Sequence, residues 1–66
     1  KKEKWDHILS CLEKLNPGQK EIIILRDIQG FTYEEISEIL ECSIGTVKSK
    51  INRSRLKLRE TLLEQN

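Results

Sequence analysis

Apolar residues recur along this chain at helical spacing, and the polar residues between the stripes fall where helices begin and end. Trp5, Ile8, Leu9, Leu12 and Leu15 form one stripe, which predicts a helix from about Glu3 to Leu15. Asn16-Pro17-Gly18-Gln19 follows as a start signal. Asn16 is an N-cap, Pro17 takes the first helical position where its missing N–H costs nothing, and Gln19 can close a capping box. The second helix is predicted from Pro17 to about Gln29, with Ile22, Ile23, Ile24, Leu25 and Ile28. So many apolar positions imply a helix buried on more than one side, or one that offers a second face to a partner. Gly30 ends it as a left-handed cap.

Thr32-Tyr33-Glu34-Glu35 is a second capping box, opening a short helix over about Tyr33–Glu41 with Ile36, Ile39 and Leu40 as its buried face. Ser37, small and on the edge of that stripe, would let another helix approach closely. After the tight connection Glu41-Cys42, Ser43 caps a long last helix from Ile44 to about Leu63. Period-2 alternation and hairpin dipeptides are missing. The fold class is therefore all-α: one small four-helix domain over residues 1–66, containing a helix-turn-helix at about 33–63 whose second helix is long and basic.

A helical wheel at 100° per residue divides the last helix cleanly. Ile44, Val47, Ile51, Ser54, Leu58 and Leu62 fall on one side, as its core face. Opposite lie Gly45, Ser49, Asn52, Arg53 and Leu56, with Lys48, Arg55 and Arg59 along one edge and Lys50 and Lys57 along the other. Charge follows the same division. Residues 43–59 carry six bases and no acid, whereas residues 1–42 carry nine acids against six bases. The net charge of +1 hides this polarity. A helix lowered into a DNA major groove needs short polar and bidentate groups at the bottom and cations on both rims to meet phosphates. Gly45 permits close backbone approach, and the free N–H groups of the first turn suit a phosphate.

Composition sets limits. A chain of 66 residues forms one domain at most, burying roughly 60% of its unfolded surface. It opens on a charged run without an initiator Met and reads as a piece of a longer protein. Cys11 and Cys42, with the single His7, are too few for a metal site; a disulfide is arithmetically possible, but small buried apolar residues fit better. Trp5 reads as a core anchor of the first helix rather than a stacking platform. No membrane-spanning run or signal peptide is present, so a soluble cytoplasmic chain without membrane insertion is expected.

With these residues in place, the stretches LNPGQKEIIILRDIQGFTYEEISEIL and IGTVKSKINRSRLKLRE resemble the C-terminal domain, the fourth conserved region, of bacterial RNA polymerase sigma factors, most closely the extracytoplasmic-function group. The likeness covers residues 15–60, and the Gly-Thr-Val-Lys-Ser-Lys run after Tyr-Glu-Glu-Ile is its specific signal. The resemblance implies recognition of the promoter's −35 element by the last helix, and docking on the flap of the polymerase core. Carried across, Lys48, Ser49, Asn52 and Arg53 would read bases, and Thr46, Lys50, Arg55, Tyr33 and Arg26 would hold the backbone. Tyr33 stays open between a packing residue and a phosphate ligand. An anti-sigma factor masking the basic helix is implied as a further partner.

Three positions depart from the family pattern. Glu41 replaces a usual turn Gly, which costs about 1 kcal/mol of strain or changes the turn. Ser43 replaces a common Pro and is a fair N-cap. Leu56 replaces a usual base, and with Leu63 it forms an outward apolar face that could meet a protein partner.

Two other classes compete. A response-regulator output domain shares the Thr-Val-Lys pattern, but it typically has a His shortly after that Lys, where Ser49-Lys50 stands here. A protein-interaction domain would turn the basic helix to an acidic partner. Catalysis finds no nucleophile–base pairing, metal-ligand spacing or phosphate-cradling glycine loop, so no enzyme, metal or cofactor is expected.

Overall fold

The computed structural model describes residues 2–64. Four helices follow one another: α1 (Lys2–Glu13), α2 (Pro17–Ile23), α3 (Tyr33–Leu40) and α4 (Ile44–Glu64), with a π-helical turn over Ile24–Ile28 extending α2. Among the described residues there is no strand. The 21 residues of α4 span about 32 Å at 1.5 Å per residue, which accounts for the molecule's longest dimension of 35 Å. The other helices pack along this rod.

The starts are built as their local sequences dictate. Asn16 Oδ1 accepts the Gln19 N–H at 2.8 Å while Gln19 Oε1 accepts the Asn16 N–H at 3.3 Å, and Thr32 and Glu35 form the same reciprocal box at 3.0 and 2.8 Å. Each box satisfies two donors that a helix start leaves open. Ser43 Oγ accepts the Thr46 N–H at 3.1 Å and caps α4.

The ends are more particular. The Gln29 N–H reaches back five residues to the Ile24 carbonyl and Phe31 reaches back six to Leu25, so α2 leaves its regular path before Gly30 at φ 78° closes it. Regular helix to Gln29 is thus corrected to an α-helix ending at Ile23 and a wider turn beyond it. The wider turn rotates the side chains after Ile24 relative to an unbroken helix. At the end of α3 the left-handed residue is Glu41, at φ 56°, and the Cys42 N–H closes onto the Ser37 carbonyl at 3.0 Å. The turn therefore keeps the left-handed shape that glycine adopts freely, with a side chain in place.

The core is Leu12, Leu15, Ile22, Ile23, Ile36, Val47 and Ile51, with Ile8, Leu25, Phe31, Tyr33, Leu40, Cys42 and Leu58 packed around it. Four expected core positions lie elsewhere. Trp5 is 55% exposed and Leu9 is also exposed, because α1 packs through Ile8, Cys11 and Leu12, with Leu15 following its end. Ile39 is exposed, since α3 packs through Tyr33, Ile36 and Leu40. Ile44 is 39% exposed at the first position of α4, on the lip of a recess beside α3. Conversely Thr61, outside the expected face, is buried, with its hydroxyl donating to the Lys57 carbonyl at 2.9 Å. Val47, Ile51 and Ser54 are buried as the wheel requires. Cys11 is buried and Cys42 half-buried, both as free thiols.

Candidate nucleic-acid interface

Burying Val47, Ile51 and Ser54 fixes the rotation of α4 and thereby turns Gly45, Ser49, Asn52, Arg53 and Leu56 to solvent. Lys48, Lys50, Arg55, Lys57 and Arg59 are exposed as well. The outward face thus carries all six cations of the last helix and no acid before Glu60. Its ends are unlike: Ser43, Thr46 and Ser49 are small and polar near the capped start, whereas Leu56 and Leu63 stand exposed toward the far end.

Each rim of that face borders a shallow recess. On one side Lys50 and Arg53, with Ser54 beneath them, meet Asn16, Gly18 and Gln19 at the start of α2 around a space of about 250 Å³. On the other, Lys48 and Ile44 meet Arg26, Thr32, Tyr33 and Glu34 around about 450 Å³. Base-reading and backbone candidates therefore do not separate fully. Ser49 and Asn52 lie on the open face, but Lys48 and Arg53 each line a flanking recess as well.

The second recess is the more structured. The Arg26 Nη1 donates to the Phe31 carbonyl at 2.8 Å, and its guanidinium lies 4.8 Å from the centre of the Tyr33 ring. Tyr33 is half-buried against the core yet lines the recess, so it packs and faces outward at once. Arg55, on α4, donates from Nε to Asp27 Oδ2 at 3.1 Å and from Nη2 to Asp27 Oδ1. The Asp27 hydrogen bond raises the Arg55 pKa above its ordinary value; burial opposes it, and the charge of Asp27 and a smaller effect of Tyr33 add to it. Three residues expected on the backbone, Arg26, Tyr33 and Arg55, are thus each tied to a neighbour on this flank. Thr46, a fourth, has its hydroxyl at 2.9 Å from Ser43 Oγ beside the α4 cap.

Asp27 was counted in the sequence only as one acid among many. It stands 28 residues from Arg55, and no local pattern links the two. Gly18 and Gln19 carried a capping signal, but nothing indicated that the α2 start would sit beside Lys50 and Arg53. Among the described residues no group of His, Cys, Asp and Glu is placed to hold a metal ion, and no helix is long and apolar enough to cross a membrane.

A capped helix pair with a cationic, acid-free second helix fits more than one DNA-binding lineage, and sequence comparison separates them. The model of the family described as sigma-70, region 4 matches residues 6–58. The chain belongs to that family. Region 4 in this chain is 41% identical over 54 residues to the ECF RNA polymerase sigma factor EcfG of Rhodopseudomonas palustris, covering 82% of this chain and 30% of that protein. Against the ECF RNA polymerase sigma-E factor of Haemophilus influenzae the identity is 40% over 48 residues, 73% of this chain and 25% of the other. Against the ECF RNA polymerase sigma factor SigE of Mycolicibacterium smegmatis it is 39% over 57 residues, 86% and 22%. The chain therefore spans less than a third of the length of these relatives. No solved structure matches it. The response-regulator lineage is not favoured by any of these likenesses.

Proposed function

We propose that this chain is the promoter-reading module of a sigma factor: within RNA polymerase holoenzyme, α4 enters the major groove of the −35 element and directs transcription initiation. One observation carries the reading. The rotation of α4, fixed by Val47, Ile51 and Ser54 in the core, turns six cations and no intervening acid outward. Membership of region 4, and relatives named as RNA polymerase sigma factors, supply the context. In this reading Lys48, Ser49, Asn52 and Arg53 meet base edges, and Arg26, Tyr33, Thr46, Lys50 and Arg55 meet phosphates. The module binds and positions, and performs no chemistry of its own. In the cytoplasm its protein partners are the flap of the polymerase core and an anti-sigma factor, whose acidic surface would cover the same cationic face.

The test uses the full sigma factor in holoenzyme. Duplexes selected from a random pool should share a preferred sequence, and log affinity should fall with log salt at roughly −0.9 per phosphate contacted. Binding indifferent to ionic strength overturns the reading.

A further inference from the structure

We infer that Asp27 is a positioning residue for DNA binding: it grips one edge of the Arg55 guanidinium so that the opposite edge faces a backbone phosphate. The inference rests on the DNA-binding reading above and adds to it a residue that never touches DNA. Arginine has five N–H donors in a fixed plane. Asp27 takes the Nε edge and one Nη2 hydrogen, which leaves the Nη1–Nη2 fork, the edge whose spacing matches two oxygens of a phosphate. The Arg55 side chain is 45% exposed and that of Asp27 36%, so the guanidinium keeps access to solvent beside Tyr33, whose hydroxyl also acts on its charge.

The backbone under Asp27 is braced. The Gln29-to-Ile24 and Phe31-to-Leu25 bonds close the π turn around it, and the neighbouring Arg26 is anchored to the Phe31 carbonyl and stacked over Tyr33. The wider turn is thus what presents Arg26 to the recess and Asp27 to α4 from adjacent positions. An arginine free in solvent must lose its rotamer freedom when it meets DNA. One already held does not, an advantage of roughly threefold to tenfold in affinity per long side chain. The opposing effect is repulsion between Asp27 and the phosphate, which solvent and the intervening guanidinium screen.

Full-length sigma factor carrying Asp27→Asn, Asp27→Glu, Arg55→Ala or both Asp27→Asn and Arg55→Ala, assembled into holoenzyme, decides this by salt titration on a promoter duplex. Asp27→Asn should weaken binding about threefold to tenfold and make the salt slope shallower by up to about 0.9, one phosphate contact. Asp27→Glu should recover most of both. In the Arg55→Ala background Asp27→Asn should weaken binding no further. Tighter binding by Asp27→Asn shows that the carboxylate masks Arg55 and overturns the inference, as does an equal loss with and without Arg55. In both cases a wild-type slope that remains steep leaves the DNA-binding reading standing; a flat wild-type slope overturns that reading and this inference together.

Discussion

The guanidinium of Arg26 lies 4.8 Å from the centre of the Tyr33 ring while its Nη1 holds the carbonyl of Phe31. One side chain thereby ties the π turn to the start of α3, across the glycine bend that joins them. A charge-assisted hydrogen bond in a half-buried setting contributes about 1.5–3 kcal/mol, and a partly exposed cation–π contact about 0.5–1 kcal/mol. Arg26→Ala should therefore destabilise the domain by about 1–3 kcal/mol in urea unfolding, with the m-value unchanged. A loss within 0.5 kcal/mol, the range of an ordinary surface substitution, would show that the tie is ornamental.

Glu41 supplies the opposite opportunity. Its left-handed backbone, φ 56°, carries an exposed side chain. Glu41→Gly should stabilise the domain by about 1 kcal/mol, the left-handed penalty less the glycine's greater unfolded freedom. For a domain of this size that raises Tm by about 4–8 °C. Glu41→Ala keeps the Cβ and should give no such gain, so a thermal melt of both variants isolates the backbone effect from the lost charge.

The core prediction contrasts two positions on one helix. Ile51 is 1% exposed and Leu56 is exposed. Ile51→Ala should cost about 2–5 kcal/mol, a large share of the margin of so small a domain, and Ile51→Asp should unfold it outright because the charge finds no partner. Leu56→Ala should change stability by less than 0.5 kcal/mol. Denaturant midpoints of the three variants check the rotation of α4 on which the whole interface depends.

What was legible in the sequence is what chain neighbours decide. The two capping boxes, the Ser43 cap and Gly30 all follow from residues within five positions of one another, whereas the left-handed shape at Glu41 was left open between strain and a different turn. The rotation of α4 was legible too, since acids are missing from one side of its wheel and isoleucine and valine from the other. Exposure at Trp5 and Ile44 was not, because an apolar stripe says which face turns inward but not how far along its length a neighbouring helix covers it; at Ile39 the packed face itself is turned toward Tyr33, Ile36 and Leu40. Nor was the π turn legible, which no local propensity signal marks. The Asp27–Arg55 pair joins α4 to a turn remote in sequence. Only the assembled fold brings them together, and with them a flank of the site that a list of cations could not reveal.

Lys50 and Arg53 share a recess beside the α2 start, so their substitutions separate two kinds of DNA contact on one rim. Lysine is a point charge that meets a phosphate without regard to sequence. Lys50→Ala should therefore weaken preferred and random duplexes alike and reduce the salt slope by about 0.9. Arg53 stands exposed between that recess and the open face, where a guanidinium can form two hydrogen bonds to a guanine edge. Arg53→Ala should cost about 1–3 kcal/mol on the preferred duplex and less on random DNA, relaxing preference at one base position. Holoenzyme affinities on a panel of single-base variants of the preferred duplex measure both effects. Equal losses on every duplex for Arg53→Ala would move it from the bases to the backbone. The start of α2, with its Asn16 cap and Gly18 beside the same recess, would then belong to a phosphate contact rather than to the reading of sequence.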